Sequence, residues 1–204
     1  MQTCTCFGAA KCRNVEARKL HFMLKYRNAD SWYGPRFPDT GLIFFDNVIV
    51  PQKYVIGEIG QGFIYQMLQF QEERLAAAAG SLTPLQVVLN ETIDYTRHRV
   101  AFGKPLLDNQ YIHFRLSELQ TEIELVRSLL YQAADAMLKG QDVSMQASML
   151  KLKCGRLARE VTDSCLQFWG GMGYTNDVYV SRLYRDLRLW SIGGGADEGK
   201  SLVA

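Results

Sequence analysis

The spacing of apolar residues changes character at Gln61. Before it, the stretch TGLIFFDNVIVPQKYVIGEIGQG holds two short apolar runs, LIFF and VIV, separated by Asp46-Asn47 and closed by Pro51. That pattern predicts a β-hairpin turning at the Asp-Asn pair. Two strands alone are marginal in water, so they need strands or helices to lean on. Ahead of them, residues 1 to about 38 read as irregular, ending in NADSWYGPRFPDT with its two prolines and a glycine.

From Gln61 onward the period becomes helical. Ile64, Met67, Leu68, Leu75, Ala79, Leu82, Leu85, Val88, Leu89 and Tyr95 recur at three- and four-residue spacings, predicting one long amphipathic helix that Thr83-Pro84 bends without ending. A second helix runs from Asn109 to Leu138 through Ile112, Leu116, Leu119, Ile123, Val126, Leu130 and Met137. It stops at Lys139-Gly140, a basic last turn followed by a glycine. A third covers Ser144 to Trp169 and closes at Gly170-Gly171; a fourth covers Val178 to Leu189. Four long helices with short connections predict an antiparallel four-helix bundle over roughly residues 61 to 192.

Charge and composition narrow the function classes. A formal net charge of +2, with basic and acidic residues interleaved, leaves no stripe for a polyanion, so nucleic acid is not an expected partner. No apolar run reaches the roughly 20 residues of a membrane span. The five cysteines are an odd number without zinc spacing, three of them (Cys4, Cys6, Cys12) near the N-terminus; all five read as reduced thiols, and no metal site is expected.

The residues able to do chemistry are individually weak signals. Arg99-Val-Ala-Phe-Gly-Lys-Pro places a guanidinium, an aromatic ring and a lysine in one turn, suited to a phosphate and a ring, or equally to finishing a helix with cations near its last carbonyls. Gln167-Phe-Trp-Gly-Gly-Met-Gly ends a helix with more glycines than a cap needs, which suggests close backbone approach to a ligand. Ile192-Gly-Gly-Gly-Ala-Asp-Glu offers bare backbone N–H groups for an anion or carbonyl oxygen, or is simply a linker. Glu72 and Glu73 stand side by side in QFQEERLAAAAG.

Taken in order, PDTGLIFFDNVIVP, IGEIGQGF, QEERLAAAAG, DYTRHRVAFGKPL, QFWGGMGY and YRDLRLWSIGGGADE resemble the C-terminal part of an acyl-CoA dehydrogenase, over residues 38 to 198 or so. The resemblance implies a mainly α fold: an antiparallel four-helix bundle preceded by a remnant of a β-domain. It divides the chain into an irregular segment 1–37, the end of a middle β-domain 38–60 and the helical-bundle domain 61–204. It also implies FAD as cofactor, acyl-CoA as substrate, electron-transfer flavoprotein as acceptor and a homo-dimer or tetramer. The compartment would be the mitochondrial matrix in a eukaryote and the cytoplasm otherwise. Family members run about twice this length, so the chain is expected to lack the N-terminal helical domain and most of the middle domain. A non-catalytic bundle that only associates with full-length subunits, and an acyl-CoA oxidase-like relative, are the rival expectations.

In most of the family the base that removes the α-proton is a glutamate in a YEG-type segment, a position occupied here by Gly194. A branch resembling the isovaleryl- and long-chain-type enzymes carries that glutamate on the first bundle helix before an arginine, where this chain has Glu73-Arg74. The resemblance therefore makes Glu73 the base, desolvated so that its pKa rises, with Gly194 leaving room for it and keeping a backbone N–H for the thioester carbonyl. Glu72, about 100° away round the helix, is expected to be exposed. Gln71, Arg74 and Gly195 fall at substrate-contact positions. Arg99, Phe102 and Gln110 resemble the family's residues for the FAD pyrophosphate and adenine side, partly across a dimer interface. Gln167, Gly170 and Gly171 resemble its second flavin loop. Ala196 and Glu198 stand where a Thr and a Gln or Glu often touch the cofactor.

Overall fold

A computed structural model describes residues 19–25, 42–49, 51–193 and 195–200, and divides into two units, residues 1–69 and 70–204. In the first unit, strand β1 (Lys19–Lys25) pairs antiparallel with strand β2 (Leu42–Ile49). Two expectations are corrected here. The stretch before residue 38 is not irregular throughout, since it supplies β1. The Asp46-Asn47 pair does not turn a hairpin: β2 runs straight through it. Leu20 faces Val48 while His21 faces Asp46, so Asn47 is the extra residue of a β-bulge. A polar pair that breaks alternation fits a bulge as well as a turn, and only the partner strand decides between them.

The second unit is helical. Helix α1 (Gly62–His98) enters it at Phe70 and contains Pro84 without ending. A two-residue hairpin follows, strands β3 (Val100–Ala101) and β4 (Lys104–Pro105), then α2 (Gln110–Leu138) and α3 (Ser144–Trp169). The α2 stop is as the sequence predicts, with Gly140 at φ 72° accepting the left-handed backbone that a C-terminal cap requires. The fourth helix is shorter than expected. Helix α4 covers only Tyr179–Asp186, and Leu187–Ser191 tightens into a 3₁₀ turn before the short α5 (Asp197–Lys200).

Side-chain pairs give the helix directions. Arg115 binds Glu160 while Glu122 meets Lys153, so α2 and α3 run antiparallel. Arg74 reaches Ser148 and Thr92 reaches Trp169, so α1 and α3 run parallel, as first and third helices of an up-down bundle must. Leu85, Val88, Leu89, Leu119, Ile123, Leu150, Leu157 and Val161 are fully buried between them. Cys154 and Cys165 lie in this core as free thiols, and burial pushes both pKa values up, that of Cys165 to about 11. Peptide mapping after iodoacetamide treatment near neutral pH should find Cys154 and Cys165 unmodified until denaturant is added; rapid labelling of either in the folded chain would contradict this packing.

Candidate functional site

Helix α3 organises one end of the site through a stripe on a single face. Ser144, Ser148, Lys151, Gly155 and Arg159 recur at three- and four-residue intervals. Asp142 accepts hydrogen bonds from the Ser144 N–H and hydroxyl, which lower its carboxyl pKa and fix the start of the helix. Gln71 then donates to the Ser144 hydroxyl, and Arg74 donates to the Ser148 hydroxyl at 3.0 Å. Two of the three residues assigned by resemblance to substrate contact, Gln71 and Arg74, are thus seen bridging α1 to α3.

Further along the stripe, the buried Lys151 ammonium donates to the Trp190 carbonyl and lies 5.3 Å from the centre of its indole. At Gly155 the C-terminal segment comes so close that an added Cβ would stand 3.0 Å from Ser191 Oγ and 3.1 Å from the Trp190 carbonyl oxygen. Ser191 donates to the Gly155 carbonyl at 3.0 Å, and Arg159 pairs with Asp197 at 3.1 Å. Three consecutive turns of α3 therefore hold Trp190, Ser191 and Asp197.

Between α1 and this segment lies a cavity of about 230 Å³ lined by Phe70, Glu73, Arg74, Ala77, Lys151, Leu189, Trp190 and Gly193. Glu73 is on its wall and Glu72 is not, which separates the two adjacent acids geometrically. Glu73 is nonetheless exposed, where a desolvated base was expected; the described residues leave it open to water. Gly194 lies outside the described residues, but its neighbour Gly193 lines the cavity, and Gly195 adopts φ 104°. Ala196 and Glu198 are exposed just beyond.

The other predicted residues gather at the far end of the bundle. The Tyr95 and Trp169 rings stack at 4.0 Å, the Trp169 indole N–H donates to Thr92 Oγ1, and Phe168 meets Tyr111 edge-on. These contacts bring the ends of α1 and α3 to the start of α2, with exposed Arg99, Gln110, Gln167, Gly170 and Gly171 around them. A cleft of about 550 Å³ there is lined by Arg99, Tyr95, Trp169, Glu91, Asp94 and His98. Phe102, at the hairpin tip, is fully exposed and has φ 55°, the single non-glycine among the described residues with positive φ. A bulky ring held in that conformation costs about 1–3 kcal/mol, a strain that clusters at binding sites.

Two of the three glycines that follow Trp169 have local explanations. Gly170 turns the chain at φ 58°, and an added Cβ at Gly173 would lie 2.7 Å from the Leu166 carbonyl oxygen. Gly171 alone of the three has neither a positive φ nor a neighbour within 4 Å of an added Cβ. From its side chains the sequence reading missed Lys151 and Trp190. The signal was present: Lys151 falls on the apolar face shared by Ala147, Leu150, Cys154 and Ala158, where a lysine is out of place, while Lys153 pairs with Glu122 on the outer side.

Gly155→Val is expected to lower stability by about 1–3 kcal/mol in urea denaturation, because the carbonyl and hydroxyl packed on Gly155 have to move. Gly171→Ala should stay within about 0.5 kcal/mol. Equal effects at the two positions would contradict the packing described.

The family pattern described as "Acyl-CoA dehydrogenase, C-terminal domain" matches residues 60–202. The chain is 38% identical over 162 residues to the probable acyl-CoA dehydrogenase YdiO of Escherichia coli (strain K12), a match that covers 79% of this chain and 42% of that protein. It superposes on a crystal structure of acyl-CoA dehydrogenase from Geobacillus kaustophilus with a TM-score of 0.81 at 30% identity, covering 92% of this chain and 48% of that one. For butyryl-CoA dehydrogenase from Megasphaera elsdenii the TM-score is 0.77 at 31% identity, covering 84% and 46%. The chain thus spans under half the length of these relatives. The match over most of its residues, together with the bundle that carries the matched segments, places the chain in the acyl-CoA dehydrogenase family, of which it holds the C-terminal domain.

Proposed function

We propose that this chain supplies the base and part of the flavin clamp of an FAD-dependent acyl-CoA dehydrogenase, in which Glu73 removes the α-proton of an acyl-CoA thioester. The observation that carries the reading is the shared cavity: Glu73 and Arg74 from α1 face Trp190 and Gly193 from the segment where most of the family places its base. A carboxylate that has moved to the helix occupies the same space from the opposite wall.

The residues of the far end suit FAD. Arg99 offers a guanidinium for a pyrophosphate, Phe102 an exposed ring for a flat heterocycle, and Gly171 an open backbone. Gln110 and Gln167 add amide donors and acceptors around them. FAD held there would supply the acceptor for the hydride that leaves the β-carbon of the acyl chain. In the same step Glu73 takes the α-proton, the two C–H electron pairs give the α,β double bond and the hydride, and backbone N–H groups of the glycine segment stabilise charge on the thioester oxygen. Arg74, fixed by Ser148 and facing Phe70 at 5.8 Å, keeps a positive charge beside that oxygen. The acyl chain itself covers Glu73 when it enters, removing the water that now reaches the carboxylate.

The helix sets a limit on how these parts combine. Between Glu73 and the end of α1 lie about 25 residues of helix, roughly 37 Å. Glu73 and Arg99 of one chain therefore serve different centres, and each centre is completed by a second copy, which makes a homo-dimer or a tetramer built from dimers the working unit. Electron-transfer flavoprotein is the proposed acceptor, and the oxidation of fatty acyl chains the proposed setting, in the mitochondrial matrix of a eukaryote or the cytoplasm of a bacterium.

Glu73→Gln should leave FAD bound and cut its bleaching by acyl-CoA by about a thousandfold, whereas Glu72→Gln should change it by no more than about twofold. Retained bleaching in Glu73→Gln overturns the assignment of the base. Rapid reoxidation of the reduced flavin by oxygen, with electron-transfer flavoprotein ineffective, would indicate the oxidase-type reaction instead.

A further inference from the structure

A charged side chain inside the Glu73 cavity plays no part in the chemistry above. Lys151 is only 3% exposed, where the apolar row of Ala147, Leu150, Cys154 and Ala158 borders Ser148 and Gly155 of the stripe. Burying an ammonium there costs desolvation that a leucine or methionine of similar length would avoid. What the ammonium does, and those side chains cannot, is donate a charge-assisted hydrogen bond to the Trp190 carbonyl.

That carbonyl sits at a delicate place. The 3₁₀ turn Leu187–Ser191 ends there, and its last N–H groups, from Ile192 and Gly193, both go to the Leu189 carbonyl at 2.9 Å and 2.7 Å. Ile192 ends the helical geometry, and among the described residues no backbone N–H reaches back to the Trp190 carbonyl; Lys151 supplies a donor to it. The same carbonyl is pressed against Gly155, one turn further along α3, so its direction is fixed from two sides. Arg74 and Glu73 complete the charged groups on this cavity's wall.

We propose that Lys151 is a positioning residue of the Glu73 site: by holding the Trp190 carbonyl it sets the direction in which the chain leaves into Gly193, on the cavity wall, and so the place of that wall's backbone relative to Glu73. The proposal rests on the acyl-CoA dehydrogenase reading for its catalytic consequence, and on geometry alone for the lock itself. A glycine-rich segment has little conformational preference of its own, so its geometry has to be imposed by what precedes it.

The test compares Lys151→Met, Lys151→Arg and Ser191→Ala in the full chain. Hydrogen exchange of a peptide covering residues 190–197 reads the lock without reference to activity; bleaching of bound flavin by butanoyl-CoA and octanoyl-CoA reads its consequence. Lys151→Met should speed exchange of that peptide by about tenfold while peptides from α2 stay unchanged. It should lower kcat by about tenfold with KM changed less than about threefold, and Lys151→Arg should recover at least about half of the loss. Unchanged exchange at 190–197, or exchange raised equally in α2, overturns the proposal, as does an unchanged kcat. If Lys151→Met does not fold, Ser191→Ala removes the hydroxyl that donates to the Gly155 carbonyl and loosens the same segment without touching the buried charge. Raised exchange there with kcat unchanged overturns the proposal as well. A wild-type chain that binds flavin but is not bleached by either thioester refutes the functional reading, and the catalytic consequence with it, while the exchange result still decides whether Lys151 holds the segment.

Discussion

The Glu73 end of the candidate site hangs on one face of α3. Its serines hold α1 by Gln71 and Arg74, and one to three turns later Lys151, Gly155 and Arg159 hold the C-terminal segment. The cavity between Glu73 and Gly193 exists because one rigid helix grips both of its walls. Gly155 is the tightest point of that grip: the close approach of Trp190 and Ser191 leaves no room for a side chain, and a looser contact would widen the cavity before it touched the core.

The second constraint is the length of α1. A helix is stiff and rises about 1.5 Å per residue, so residues far apart on it cannot converge on one small ligand. Glu73 belongs with the α3 stripe, whereas Arg99, Phe102 and Gln110 belong with the aromatic cluster of Tyr95, Trp169, Tyr111 and Phe168. In the proposed assembly the two ends work for two different centres. Phe102, fully exposed on a strained backbone, is in that proposal the residue that meets a ligand shared with the second copy.

The long helices could be read from the sequence because their signals are local. The 3.6-residue period runs unbroken through Pro84, and α3 begins and ends at the residues that the spacing and Gly170 indicate. The strands were less legible because pairing is not local. Asp46-Asn47 reads as a turn until β1 is present to make Asn47 a bulge. The fourth helix was overextended because Leu187 and Leu189 continue an apolar spacing that the chain satisfies with a 3₁₀ turn. Within the site, resemblance selected Glu73 over Glu72, and the cavity distinguishes them independently. The exposure of Glu73 was not foreseeable, because burial depends on neighbours in space. Lys151 was less legible for a different reason: it belongs to no motif, and only its charge at a buried position of the helical period marks it.

The division of labour along α1 is tested most directly by mixing subunits. Flavin-loaded chains carrying Glu73→Gln are co-assembled with chains carrying Arg99→Ala, each inactive when assembled alone, and bleaching by acyl-CoA is measured. A hybrid dimer then holds one centre with both residues intact, so an equal mixture should recover about a quarter of the wild-type rate. A mixture as inactive as its two parents would contradict the account.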